Sequence, residues 1–358
     1  MNGPASPAST APKNAARVLI VDDSAVVRGL IARQVEAEDD LTVVATASNG
    51  ELALRELSRH AVDLVVLDIE MPVMDGLTAL QRIAAEYPQV RVIMVSTLTR
   101  RNAEISLKAL QLGAADYVAK PEGGIAGAEA FRIDLLARLR ALAPRRRVMA
   151  TQALAPPPPA SRPGQTVPEV LAIGASTGGP PALLKLFEAL KGAVRQPILL
   201  TQHMPATFTA LLAEQLSRAG DRPCAEGRDG EIVQPGRCYV APGGWHMTVN
   251  RENGSAVVRL NQDPPENFCR PAVDPLLRSA AQVYGRGVVA TILTGMGADG
   301  AKGCEAVARA GGRFVVQDEA SSVVWGMPGA AAATGLAQGV LPLAEIGPWL
   351  RRSMETTR

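Results

Sequence analysis

The chain has 358 residues, more than one compact core usually holds, so two domains are expected. It is 47% hydrophobic and 20% charged, and no apolar run approaches the roughly 18 residues that a spanning helix requires, so no membrane insertion is expected. Its 37 basic and 35 acidic residues leave a net charge of +2, too little to draw the chain as a whole to nucleic acid or anionic lipid.

Residues 1–16 are small and polar with proline and lack the apolar segment of a secretory signal, so they read as a disordered tail. Short apolar runs then alternate with amphipathic stretches. Val18 to Val21, Val43 to Thr46, Leu64 to Leu67, Val92 to Val95 and Asp116 to Val118 read as buried strands, with helices such as Ala25 to Ala37, Gly50 to Arg59 and Asn102 to Leu112 between them. Five strands in this alternation predict a doubly wound parallel sheet over residues 17–140. Residues 141–166 carry Arg145 to Arg147 and the proline run Pro156 to Pro159, the composition of a solvated, Pro-rich linker. A second α/β domain follows over residues 167–352. Its strands are Val170 to Ile173, Ile198 to Thr201 and Val288 to Leu293, and its helices Pro180 to Leu190, Phe208 to Ala219 and Ala301 to Ala310. Between Arg228 and Leu260, turns such as Ala241-Pro242-Gly243-Gly244 and Arg251-Glu252-Asn253-Gly254 predict an inserted antiparallel hairpin. The four cysteines, Cys224, Cys238, Cys269 and Cys304, have no Cys-x-x-Cys spacing, so reduced structural thiols in a cytoplasm are expected.

In doubly wound sheets, ligands bind beyond the carboxyl ends of the strands. Asp22 and Asp23 follow the first strand, and Asp68 follows the third. Converging carboxylates repel unless a hard cation sits among them, and Mg²⁺ takes one or two carboxylates plus phosphate oxygens. Asp68 can then attack a donor phosphoryl group, with Lys120 at the end of the fifth strand offering positive charge. Val21-Asp22-Asp23-Ser24, the run from Leu67 to Gly76, Val95-Ser96 and Ala119-Lys120-Pro121 together resemble the response-regulator receiver family, which has a flavodoxin-like fold. The resemblance implies that Asp22, Asp23 and Asp68 hold Mg²⁺, that Asp68 is the phosphoacceptor, that Lys120 contacts the phosphate, and that Ser96 and Tyr117 are the switch positions.

In the second domain, strand Val170 to Ile173 runs into Gly174-Ala175-Ser176-Thr177-Gly178-Gly179, followed by a helix. Gly-x-Ser-x-Gly at a strand-to-helix turn exposes a serine hydroxyl beside the N–H groups of a helix start. The same glycines also occur in phosphate cradles and plain turns, but the lysine of a nucleotide loop is missing. The chain has three histidines. His60 at a helix end reads as solvated or capping, and His246 in the hairpin as structural. His203 directly follows the strand Ile198 to Thr201, on the serine's edge of the sheet, and is the best general base. Asp299, in the Gly-rich loop after Val288 to Leu293, fits the orienting acid. Asp274 is its rival, although it reads more naturally as a helix cap.

Gly-Ala-Ser-Thr-Gly-Gly, Gln202-His203-Met204-Pro205, Ala-Pro-Gly-Gly and Thr294-Gly-Met-Gly-Ala-Asp-Gly300 look like the catalytic domain of the chemotaxis protein-glutamate methylesterases. This resemblance implies a Ser176, His203, Asp299 triad, backbone N–H groups of Thr177 and Met296 as oxyanion donors, and no cofactor for the esterase reaction. It also implies a phosphorylation-activated, cytoplasmic hydrolase of chemotaxis adaptation. Its substrates would be glutamate methyl esters and glutamines of methyl-accepting receptors, and its phosphodonor a chemotaxis histidine kinase. Two other classes compete. A DNA-binding output would need a basic recognition element, and the sequence offers only Arg145 to Arg147. An unregulated small-ester hydrolase would leave the receiver motifs unexplained.

Overall fold

The computed structural model describes residues 15–97, 99–120, 124–144 and 167–355. Residues 1–14 of the expected tail, and residues 145–166 of the expected linker with Arg145 to Arg147 and Pro156 to Pro159, lie outside the described residues. The chain divides into two compact units.

The first part of the chain runs β1 (Ala16–Val21), α1 (Ala25–Glu36), β2 (Leu41–Ala47), α2 (Gly50–Arg59), β3 (Leu64–Asp68), α3 (Gly76–Glu86), β4 (Arg91–Ser96), α4 (Arg100–Gln111), β5 (Asp116–Ala119) and α5 (Gly124–Leu142). The strands form one sheet in the order β2-β1-β3-β4-β5, and every pairing is parallel. Continuous apolar runs such as Val18 to Val21 and Leu64 to Leu67 suit strands buried on both faces. Polar residues mark the helix starts. Ser24, Asn49 and Asp75 each accept a backbone N–H at the first turn of α1, α2 and α3. The strand order reverses between β1 and β3, which makes their carboxyl ends the ligand edge.

The second part of the chain begins with β6 (Val170–Ala175), α6 (Gly179–Leu190), β7 (Ile198–Gln202) and α7 (Ala206–Gly220). It continues with β8 (Cys224–Glu226), β9 (Cys238–Val240), β10 (His246–Glu252), β11 (Ser255–Asn261), α8 (Val273–Tyr284), β12 (Val288–Ile292), α9 (Ala301–Arg309) and β13 (Arg313–Gln317). It closes with α10 (Met327–Ala333), β14 (Val340–Leu341) and α11 (Leu343–Met354). Seven strands form a parallel sheet in the order β14-β13-β12-β6-β7-β9-β8. β10 and β11 pair as an antiparallel hairpin outside this sheet. Asn253 and Gly254 turn it with φ of 48° and 82°, the left-handed pair that a two-residue hairpin turn needs. β9 falls inside the region read as hairpin but joins the main sheet, because Cys238-Tyr239-Val240 is wholly buried and continues the core beside β7. β6 sits between β7 and β12, so this sheet also reverses its strand order at its centre. Among the described residues, no helix is long and apolar enough to cross a membrane.

Candidate functional site

At the ligand edge of the first sheet, carboxylate oxygens of Asp22, Asp23 and Asp68 all lie within 4.8 Å of one another. Asp22 and Asp68 are buried, and Asp23 is exposed. Lys120 Nζ ties the two buried ones together, 2.9 Å from Asp22 Oδ2 and 2.9 Å from Asp68 Oδ2. Burial pushes the Asp68 carboxyl above its ordinary pKa despite Lys120. Burial also works against the Lys120 ammonium, but the two carboxylates hold its pKa above the ordinary value. An all-oxygen donor set with one open, exposed member suits a hard divalent cation that keeps part of its water. α3 starts directly under this pocket. A Cβ on Gly76 would stand 2.0 Å from the Asp68 carbonyl oxygen, so the Asp75-Gly76 pair is a steric demand of the pocket floor. Ser96 is buried at the end of β4, and its carbonyl accepts the Lys120 N–H at 2.7 Å. Tyr117 is buried with the Arg138 guanidinium 6.0 Å from its ring centre.

In the second unit three loops leave three adjacent strands. Ser176 follows β6, His203 follows β7, and Asp299 lies in the loop after β12. The register pairs Ala175 with Gln202, so Ser176 and His203 are the next residues beyond a matched pair. The His203 N–H donates to the Ala175 carbonyl at 3.2 Å. The Ser176 N–H donates to the Thr294 carbonyl at 3.0 Å, and Gln202 Nε2 to the Ser176 carbonyl at 2.8 Å. Gly178 turns the chain with φ of 74°, and α6 begins at Gly179. The Asp299 loop presses on this elbow, since a Cβ on Gly295 would come 2.8 Å from Ser176 Cβ.

His203 Nε2 lies 2.8 Å from Asp299 Oδ2. A carboxylate only accepts, so Nε2 carries the proton in this bond. The same oxygen accepts the Val273 N–H at 2.6 Å, and Oδ1 accepts from Asp274 N–H, Gly300 N–H and Asn267 Nδ2 at 3.0 to 3.1 Å. Asp299 is thus a buried anion on the N-terminus of α8, where the helix N–H groups and dipole favour negative charge. Burial alone would raise its pKa, but His203 and the Val273 and Asp274 amides bring it below the ordinary carboxylate value. Burial disfavours the His203 imidazolium, yet its bonds to Asp299 and Cys269 push its pKa up to about 9.

The other candidates separate cleanly. Asp274 accepts the Gly303 N–H at 2.7 Å and so caps α9 rather than its own helix, with burial raising its pKa. His246 is buried, accepting the Ala272 N–H at Nδ1 and reaching the Pro264 carbonyl from Nε2, both at 3.2 Å. His60 stands half exposed beside Glu56 at 3.2 Å. All four cysteines are free. One of them, Cys269, has its Sγ 3.3 Å from His203 Nδ1. Nothing in the sequence pointed to this contact, which joins residues 66 positions apart. Among the described residues, Ser176 Oγ makes no hydrogen bond to His203. The Met296 N–H has no partner among them either.

Residues 18–129 match the family model described as "Response regulator receiver domain", and residues 171–350 the one described as "CheB methylesterase". The class is therefore a response regulator whose output unit is an α/β hydrolase-type domain. A protein-glutamate methylesterase/protein-glutamine glutaminase of Azospirillum brasilense is 50% identical, covering 97% of this chain and 94% of its own length. One from Paramagnetospirillum magneticum is 51% identical over 94% of this chain and 95% of its own. The Thermotoga maritima CheB methylesterase catalytic domain superimposes with a TM-score of 0.51 at 38% identity, covering 52% of this chain and 99% of that one. The chain belongs to the protein-glutamate methylesterase/protein-glutamine glutaminase family.

Proposed function

We propose that this protein hydrolyses glutamate γ-methyl esters, and deamidates glutamines, on chemoreceptors in the cytoplasm, with Ser176 as nucleophile, His203 as general base and Asp299 as orienting acid. The observation that carries this reading is the convergence of these residues at the carboxyl ends of β6, β7 and β12, with His203 bonded to Asp299 at 2.8 Å. Nε2 is committed to Asp299, so Nδ1 is the nitrogen that takes the Ser176 proton as the hydroxyl attacks the ester carbonyl. His203 then passes the proton to departing methanol, or to ammonia from a glutamine, and water cleaves the acyl-enzyme by the same route. The oxyanion falls to the N–H groups of Thr177, at the start of α6, and Met296, in the loop pressed against Ser176. The missing Ser176–His203 bond is ordinary without substrate, since such bonds tighten in the Michaelis complex.

Residues 17–140 act as the receiver and residues 167–352 as the esterase, joined by the linker 141–166. Asp68 accepts a phosphoryl group from a histidine kinase and thereby raises esterase turnover. Asp22, Asp23 and Asp68 would hold Mg²⁺, which when bound neutralises charge on the phosphoryl oxygens. Lys120 contacts the phosphate, while Ser96 and Tyr117 answer its arrival. The test is release of labelled methanol from methylated receptor. Wild type should release it faster with a small-molecule phosphodonor, and Ser176→Ala should release none; normal turnover by Ser176→Ala sinks the reading.

A further inference from the structure

Both nitrogens of the His203 ring are engaged: Nε2 by Asp299, and Nδ1, the one left for Ser176, by Cys269 Sγ at 3.3 Å. We propose that Cys269 is a positioning residue of the esterase, whose sulfur holds the Nδ1 proton of His203 in the resting site and must release it before Ser176 can be activated. This rests on the reading of His203 as the general base.

The turn that delivers Cys269 is tied to the site on both sides. The Cys269 N–H donates to the Glu266 carbonyl at 2.9 Å, and the Glu266 N–H to the Cys269 carbonyl at 3.2 Å. Between them Asn267 and Phe268 take φ of 50° and 63°, the left-handed pair of a type I′ turn. Asparagine tolerates that conformation, but a bulky aromatic there is strained, and such strain persists only where the surroundings enforce it. The surroundings do so here. Asn267 Nδ2 bonds Asp299 Oδ1 at 3.1 Å and Asp274 Oδ2 at 3.2 Å, and Arg278 grips both oxygens of Glu266 at 2.5 and 2.9 Å. One four-residue turn therefore touches two catalytic side chains, His203 through Cys269 and Asp299 through Asn267. Phe268 itself packs on nothing and is fully exposed.

A sulfur that accepts Nδ1–H favours the imidazolium, the form that cannot take a proton from serine. Burial opposes that form, and Cys269 with Asp299 overcomes it. The groups facing the ring are Asp299 and Cys269, with Asp274 and Arg278 the next charges around Asp299. Removing the sulfur should let His203 lose its proton at lower pH without touching the fold or the Asp299 bond.

The experiment is kcat/KM for methanol release against pH in the full-length protein, for wild type, Cys269→Ala and Cys269→Ser. The acidic limb should move to lower pH in Cys269→Ala and less in Cys269→Ser, whose hydroxyl can keep the bond. Iodoacetamide supplies a second reading that needs no substitution. The Cys269 sulfur displaces iodide, an S–C bond forms, the thiol proton passes to His203 or solvent, and the added group fills the space before Nδ1. Wild type should then lose activity as this thiol is labelled, and Cys269→Ala should resist. An unmoved acidic limb in Cys269→Ala, or equal inactivation of both proteins, overturns the proposal. If Ser176→Ala and His203→Ala are inactive in that case, the triad stands and only Cys269 falls; full turnover by His203→Ala would sink both.

Discussion

Each unit keeps a buried aspartate at the reversal point of a parallel sheet, and the two are tuned in opposite directions. Asp68 is pushed up by burial, with Asp22 adding repulsion and a single lysine shared between them. Asp299 is equally inaccessible but is brought down by an imidazole and the amides of a helix start. Neighbours, not depth, decide the sign. The first arrangement leaves an anion short of positive charge, a pocket that gains from a cation and a phosphoryl group. The second leaves an anion already satisfied, which can hold an imidazole in place through a reaction.

The largest effect should come from the second site alone. His203→Ala, like Ser176→Ala, should cut methanol release by at least about 10⁴-fold while far-UV circular dichroism stays native. Asp299→Asn should cost about 10⁴-fold, and Asp274→Asn much less, since Asp274 serves α9; a reversed order in steady-state assays would reassign the acid.

Chelation divides the two regions more finely. EDTA, and separately Asp68→Ala, should abolish the rise in turnover caused by a phosphodonor, whereas EDTA should leave unstimulated ester hydrolysis intact. Loss of basal turnover on chelation would break the distinction between a cation-dependent and a cation-free pocket.

A pH titration probes the satisfied anion's partner. The folded pKa of His203, about 9, lies above its ordinary value of 6.5, so folding takes up a proton between them. Its stabilising contribution is complete below about pH 6.5 and is lost as pH rises through about 9. Urea midpoints measured across that window should fall with rising pH, and His203→Ala should flatten the slope. Hydrolysis should rise over the same interval, because only the neutral imidazole can accept the serine proton.

The smallest effects concern the two glycines that support the pockets. Gly76→Ala and Gly295→Ala each force a methyl group against a pocket wall and should cost about 1–3 kcal/mol. The first should blunt the phosphodonor response and the second the basal turnover. Crossed effects would show that the supports are not local.

Most of this was legible in the sequence because the chemistry sits on short motifs at strand ends. Asp22 and Asp68 follow apolar runs directly, and Ser176 and His203 follow theirs within three residues, so the alternating pattern placed them on an edge before any contact was known. What the pattern missed depends on the chain folding back. β9 is three residues long, too short to distinguish from a hairpin strand by periodicity. β13, β14, α10 and α11 went unassigned. Asp274 reads locally as a cap for α8, but the N–H it reaches belongs to Gly303, 29 residues on. The contact of Cys269 with His203 carries no local signal, because nothing near it in sequence marks the imidazole it meets.

The Asn253-Gly254 hairpin turn is exposed and lies between the proposed catalytic residues in chain order: Ser176 and His203 come before it, Asp299 after it. A break there would leave the proposed nucleophile and base on one polypeptide and the proposed orienting acid on another. β12, which leads to Asp299, pairs directly with β6, which leads to Ser176. Two halves divided at this turn would regain hydrolysis only by rebuilding that strand pair. The hairpin thus marks a natural seam for a split enzyme, with methanol release as the signal that the fragments have found each other.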